Sequence, residues 1–384
     1  MLVLLTGGGT GGHITPILAV AHELKQLQPD ITVGYVGERH GKFTELTSKH
    51  PAIDKTYAVF AGKFRRYHKQ SWLVRLTDIK TNFLNFRDGA YVLFGIIQAW
   101  FMLGRIKPDV VFLKGGFVGV PIGLAAAARR IPIVTHDSDA LPGLANRLVS
   151  RWAAAHATAL PAQYYNYPQE KTRPVGVLVE HSYQPVTPAL QAQYKHTLGI
   201  NSAYQVLLIT GASSGAARLN EAVVSFVVPL LQRRPNLYVI HQVGKGKSAV
   251  YGDIQHERLN IQEFLNPMYQ YMGAADLVVT RASGNTIAEL GVQGKACIAI
   301  PNPDLTGGHQ LKNAALLEEQ GAARVVKEID LYDAQKGLVV VIEQLLSDEA
   351  AREQLSLCLQ GITIQGAARK LAELLLDQTA KNKN

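Results

Sequence analysis

The sequence predicts an α/β protein built from two successive Rossmann-like units, each a parallel sheet covered by helices. Three observations carry this expectation. Short apolar, β-rich runs alternate with segments of helical apolar spacing, the alternation restarts near residue 205, and the opening strand of each half runs into a cluster of small residues.

Taken in order, Leu2–Leu5 is the first strand and ends in Thr6-Gly7-Gly8-Gly9, after which Pro16–Gln26 has helical spacing. Thr32–Val36, Asp109–Leu113 and Pro132–Thr135 repeat the strand pattern. Proline and polar residues gather at Val179–Thr187, which reads as a linker. The second half opens with the strand Gln205–Thr210, the loop Gly211-Ala212-Ser213-Ser214-Gly215 and the helical Leu219–Leu231. Leu237–Gln242, Leu277–Thr280 and Ala296–Ile300 add strands. Gly366–Leu375 reads as a closing helix and Gln378–Asn384 as a polar tail. The expected division is 1–180 and 181–365, with 366–384 packing back on the first unit. Ligands of open parallel sheets bind beyond the carboxyl ends of the strands, where both small-residue loops fall. Two such domains facing across a cleft make the GT-B arrangement, and a single doubly wound domain joined to an unrelated one would give similar periodicity.

The chain has 384 residues, which fits two domains of about 150–200 residues each. Two cysteines, Cys297 and Cys358, make no disulfide framework, so a reducing compartment is expected. No basic segment precedes Leu2–Leu5, and glycine follows at once, unlike a signal peptide. Tyr91–Gly104, interrupted by Gln98, is the longest apolar stretch. A bilayer span needs about 20 apolar residues, so this stretch reads as too short to cross, and a soluble or peripheral protein is expected. The net charge of +9 suits nucleic acid, anionic lipid or phosphorylated substrates alike.

Thr6-Gly7-Gly8-Gly9-Thr10-Gly11-Gly12-His13 has more glycine than a strand-to-helix turn requires. Backbone amides there can approach a phosphate, since no side chain blocks them. No Gly-Lys-Ser/Thr follows, so it is not a Walker A loop, nor does it match the dinucleotide fingerprint with its ribose-binding acid. His13 is the ionisable side chain of the motif. It is a candidate general base toward a sugar hydroxyl, and equally a hydrogen-bonding partner for phosphate or a helix cap.

Gly8–His13, with Pro16 and Ala19-Val20-Ala21, resembles the opening of the MurG family, glycosyltransferase family 28. Lys114-Gly115-Gly116-Phe117-Val118 with Pro121 is similar to that family's second glycine turn, and His136 opens the following site loop. Gly211–Gly215 with Arg218 and Asn220, Arg281–Glu289, and His309-Gln310 with Asn313-Ala314 continue the likeness over nearly the whole chain. The resemblance implies transfer of GlcNAc from UDP-GlcNAc to undecaprenyl-pyrophosphoryl-MurNAc-pentapeptide. It places Thr10, Gly11 and Gly12 against phosphate or sugar oxygens and Ser213 on the UDP diphosphate. Leu265 would offer its backbone to uracil. Gly284, Asn285 and Thr286 would wrap the nucleoside, Glu289 would accept from ribose hydroxyls, and Gln310 would contact the GlcNAc hydroxyls with Asn313 nearby. Read alone, Glu289 also suits a first-turn acid complementing a helix dipole.

Two positions depart from the family. His136-Asp137-Ser138-Asp139 stands where His-Glu-x-Asn is usual, and Val177-Leu178-Val179-Glu180 where Asn-Pro-Val-Arg is usual. Asp137 and Asp139 remain candidate acceptor-side residues, Asp137 in a catalytic role, and a plain loop-structuring role suits them as well. Glu180 replaces an expected cation. At about 6 Å and an effective dielectric of about 20, each such charge term is roughly 3 kcal/mol. Arg281, Lys245, Lys247 or a divalent metal are the candidates to compensate.

The basic and aromatic segment holding Lys63, Phe64, Arg65 and Arg66, followed by Trp72, suits the inner leaflet of a cell membrane, at about 1 kcal/mol per cation. Tyr91–Gly104 adds apolar surface there or serves as a buried crossover helix. No nucleic-acid module accompanies the patch. An inverting single displacement is expected, with no tightly bound cofactor and at most a loosely held Mg²⁺ on the diphosphate. Rival readings are a lipid glycosyltransferase with another acceptor, a non-catalytic UDP-sugar-binding paralogue, and a UDP-GlcNAc 2-epimerase.

Overall fold

A computed structural model of the chain describes residues 1–8, 11–39, 41, 44–63, 78–211, 215–304 and 308–381. Contacts divide these into one unit of Met1–Glu180 with Ile364–Asn384, and a second of His181–Thr363.

The first unit runs β1 (Leu2–Thr6), α1 (Gly11–Leu27), β2 (Thr32–Glu38), α2 (Thr44–Ser48), β3 (Lys55–Val59), α3 (Ile79–Ile106), β4 (Val110–Leu113), α4 (Gly119–Ala128), β5 (Ile133–Asp137), α5 (Leu144–Val149), β6 (Ala155–Thr158) and β7 (Thr172–Pro174). The second runs α6 (Pro188–Thr197), β8 (Gln205–Thr210), α7 (Ala217–Arg233), β9 (Leu237–Gln242), β10 (Leu259–Gln262), α8 (Met268–Ala274), β11 (Leu277–Thr280), α9 (Gly284–Gln293), β12 (Cys297–Ala299), α10 (His309–Glu319), β13 (Arg324–Val325), α11 (Leu338–Ser347) and α12 (Glu349–Ile362). A last helix, α13 (Ala367–Lys381), belongs to the first unit.

The first sheet has the order β3-β2-β1-β4-β5-β6-β7 and the second β10-β9-β8-β11-β12-β13, all pairs parallel. Strand order therefore reverses between β1 and β4 in one unit and between β8 and β11 in the other. Loops leaving those strands open the crevice in which such sheets bind ligands.

Central strands are buried on both faces, as parallel sheets require: Val3, Leu4 and Leu5, or Val206 to Ile209, are wholly inaccessible. α13 completes the first core, where Leu371, Ala372 and Leu375 join Val3, Leu5, Ile17 and Phe112. Its last turn corrects the expectation of a polar tail. Helix continues to Lys381, and Thr379, almost fully buried, donates to the Leu376 carbonyl.

α3 also departs from expectation. The apolar stretch read as Tyr91–Gly104 lies within a helix of 28 residues, long and apolar enough to cross a membrane by length and composition alone. Nor is it a buried crossover. Ala99 and Leu103 face the core, but Phe83, Phe86, Leu93, Phe94, Ile97 and Phe101 are exposed, Phe86 at 81% and Phe101 at 70%. Their spacing places them along one face. Gln98, which interrupts the stretch, serves the sheet: its amide donates to the Ala58 carbonyl at 3.1 Å and accepts from the Phe60 N–H at 3.0 Å.

Candidate functional site

In the first unit, two glycine turns meet at the switch point. A Cβ on Gly8 would lie 2.8 Å from the Val118 methyl, and one on Gly116 would overlap the Gly8 carbonyl. Gly116 also has φ +79, so only glycine fits without strain. α1 begins at Gly11, so Gly12 and His13 stand in its first turn rather than in a loop, and Pro16 lies inside the helix. Thr10 lies outside the described residues. The His13 ring approaches the second turn, its Cδ2 lying 3.8 Å from where a Gly115 Cβ would sit. Burial, and then the nearby Lys114 ammonium, lower its pKa to about 4 against the opposing pull of Asp139. His13 is thus a neutral imidazole at physiological pH.

Beyond β5 the carboxylate of Asp137 is buried and taken up by neutral donors. Oδ1 accepts from the Gly143 N–H and the Asn146 amide, both at 2.9 Å, and Oδ2 from the Tyr167 hydroxyl at 2.8 Å. Burial raises its pKa, while these bonds and Lys114 oppose the rise. Asn146 also donates to the His136 carbonyl, and the Tyr167 ring stacks on His156 with centroids 3.8 Å apart. Asp137 therefore organises the 137–146 segment. Asp139 follows half-buried, its carbonyl accepting from the Tyr165 hydroxyl at 3.0 Å. His136 donates through Nε2 to the Gly176 carbonyl at 2.9 Å, and burial holds it neutral.

The second unit repeats the device. Gly215, at φ +64, presses on the loop after β9, where a Cβ would overlap the Val243 carbonyl; Asn220 donates to that carbonyl at 2.9 Å. Ser213 lies outside the described residues. α9 starts at Gly284 after Ser283, whose hydroxyl meets the Thr286 hydroxyl at 3.0 Å. Thr286 is buried, while Gly284, Asn285 and Glu289 are half-exposed on this helix. Glu289 is its sixth residue, in the second turn, so the first-turn dipole reading does not apply. Gln310 and Asn313 act partly as ties: the Gln310 amide oxygen accepts from Asn302 N–H at 2.9 Å, and Asn313 donates to the Ala282 carbonyl at 3.1 Å. The amide nitrogen of Gln310 is the end left to donate to a polyol. Leu265 is buried in the core, so its backbone is what it can offer, and the neighbouring Phe264 ring is exposed.

Arg281 corrects another expectation. It is nearly buried, donates to the Ile300 carbonyl at 3.3 Å and is neutralised by Glu328, so it is not a spare cation to offset Glu180. Glu328 also holds Arg218, at the start of α7, at 2.9 Å. One buried carboxylate thereby ties the segments following β8, β11 and β13. Replacing it with Gln strands the buried guanidinium of Arg281, which is expected to cost about 3–5 kcal/mol. Chemical denaturation of E328Q reads the loss.

Sequence reasoning missed Lys114, Asn146, Tyr167, Phe264 and Glu328. Lys114 lay inside a quoted motif and Phe264 directly before Leu265, whereas Tyr167 and Glu328 sit far along the chain from the groups they serve.

Two Rossmann-like sheets, each with glycine turns at its switch point, define a protein of the GT-B class. The glycosyltransferase family 28 N-terminal domain matches residues 3–158 and the family 28 C-terminal domain residues 206–373. The chain belongs to the MurG family of these transferases. It is 32% identical over 98% of its length and 96% of the relative's to a Symbiobacterium thermophilum protein. It is 37% identical to one from Lachnoclostridium phytofermentans, over 85% of this chain and 86% of that one. Both relatives are named UDP-N-acetylglucosamine-N-acetylmuramyl-(pentapeptide) pyrophosphoryl-undecaprenol N-acetylglucosamine transferase. Among solved structures, Acinetobacter baumannii MurG superposes with TM-score 0.70 at 24% identity, over 98% of this chain and 99% of that one. A UDP-GlcNAc 2-epimerase from Neisseria meningitidis reaches 0.65 at 16% identity, over 98% and 100%. These two likenesses speak to the fold alone.

Proposed function

We propose that this chain transfers N-acetylglucosamine from UDP-GlcNAc to undecaprenyl-pyrophosphoryl-MurNAc-pentapeptide, the lipid I to lipid II step of peptidoglycan synthesis. The observation that carries this reading is the end-to-end similarity to relatives named for that transfer. The second unit handles the donor through Gly284–Glu289, Leu265 and Gln310, and the first unit handles the acceptor through its paired glycine turns and His13. An acceptor hydroxyl oxygen bonds to the donor anomeric carbon as the bond to UDP breaks, and its proton passes to His13. Turn amides stabilise the departing diphosphate. Purified protein with lipid I and UDP-GlcNAc should release UDP and form lipid II. Turnover only with another lipid acceptor, or epimerisation of free UDP-GlcNAc, would refute the assignment.

A lipid-linked acceptor calls for a membrane surface, here met by peripheral attachment at the cytoplasmic side, and the exposed face of α3 supports the membrane contact. Lys63 is exposed in the same unit. Phe64, Arg65, Arg66 and Trp72, expected to share in this contact, lie outside the described residues. Burying one Phe in lipid is worth about 1.5–3 kcal/mol. Phe86→Asp with Phe101→Asp is expected to lower partition onto anionic phospholipid vesicles by at least about tenfold. Sedimentation with the vesicles measures it, and undiminished binding would rule this face out.

A further inference from the structure

We propose that Lys114 is a positioning residue of the acceptor site: a buried ammonium that tethers the loop after β5 through Ser138 and turns its charge toward His13 and the bound acceptor. The proposal rests on the transfer reading above. Lys114 directly follows β4 at the switch point, beneath both glycine turns. A Cβ on Gly7 would sit 3.2 Å from the Lys114 Cβ, and the His13 ring lies against Gly115, the next residue. The side chain is sequestered, with 5% exposure, and Nζ donates to the Ser138 hydroxyl at 2.8 Å, a neutral partner.

Burying an ammonium costs several kcal/mol unless its charge is answered. The nearby Asp137 carboxylate is already committed to the Gly143 N–H, Asn146 and Tyr167. The charge of Lys114 thus acts on its surroundings as a field. His13 faces Lys114, which follows β4, and Asp139, which follows β5. Lys114 faces Asp137 and Asp139, and its field also reaches His136. Burial lowers Lys114 to about 8, which leaves it mostly charged at neutral pH, and a positive neighbour lowers His13. The same charge complements an acceptor that carries a diphosphate.

The test is an NMR titration of the His13 imidazole in the full chain, with acceptor kinetics alongside. Wild-type His13 is expected to titrate near 4. Lys114→Met should raise that midpoint and carry the acid limb of kcat/KM upward with it, while loss of the charge facing the acceptor diphosphate should lower acceptor kcat/KM at pH 7 at least about tenfold. Lys114→Arg should hold the midpoint down. Ser138→Ala cuts the tether but keeps the charge, so it should raise the acceptor KM and leave the His13 midpoint in place. A wild-type midpoint near 6.5, or one unmoved in Lys114→Met, would overturn the proposal, as would a loss of activity in Lys114→Met without any shift of the acid limb. The titration needs no acceptor. Failure of the transfer reading would instead appear as a wild type inert toward lipid I.

Discussion

His13→Ala is expected to lower turnover by about 10²–10⁴-fold while UDP-GlcNAc still binds. Activity should require the unprotonated imidazole, so it is lost as pH falls through the pKa of His13. In the free protein that value is about 4, because burial and Lys114 disfavour the cation. The acid limb of kcat/KM, which reports the free protein, should therefore lie near 4 rather than 6.5. A base so depressed accepts protons poorly at neutral pH. An anionic diphosphate bound beside it favours the imidazolium and raises its pKa, so the acid limb of kcat, which reports the complex, should lie above that of kcat/KM. Paired pH profiles measure both limbs, and full turnover by the alanine variant would remove His13 from the mechanism.

Asp137→Ala should cost about 3–5 kcal/mol of stability, since it leaves the Gly143 N–H, one hydrogen of the Asn146 amide and the Tyr167 hydroxyl without their acceptor. Asp137→Asn keeps an acceptor oxygen, and Tyr167 can turn its hydroxyl to accept from the amide, so the loss should be smaller. The sign with pH follows from burial, which raises the folded pKa above the unfolded value. Stability from that shift is present below the unfolded pKa and lost as pH rises through the folded one. The Asn variant lacks that contribution and should show a flatter stability curve above the ordinary carboxylate range. Denaturant unfolding across pH decides the matter. If the alanine variant kept wild-type stability but lost turnover, Asp137 would be a direct participant in the chemistry instead.

The strands legible in the sequence were those with apolar side chains on both faces, such as β1, β4, β8 and β11. Those missed lie toward the sheet edges or lack bulk. β3 carries Lys55 and Thr56 exposed, β7 contains Pro174, and β13 has two residues. Edge strands have water on one side and need no continuous apolar run. β6, Ala155-His156-Ala157-Thr158, is buried, but its small and polar residues do not read as a core strand. Glycine turns announced themselves locally because backbone approach leaves a mark in composition. The carboxylate partners did not, since nothing near Asp137 in sequence points to Tyr167, and nothing near Arg281 points to Glu328.

The docking of α13 against β1, α1 and β4 bears on how the polypeptide matures. Amino-terminal domains ordinarily fold first as they leave the ribosome. Here the leading unit stays unfinished until residues beyond Thr363 emerge, because Leu371 and Leu375 supply part of its interior. The unit encoded in the middle can close earlier, and the nascent first half must wait with an uncovered oily flank.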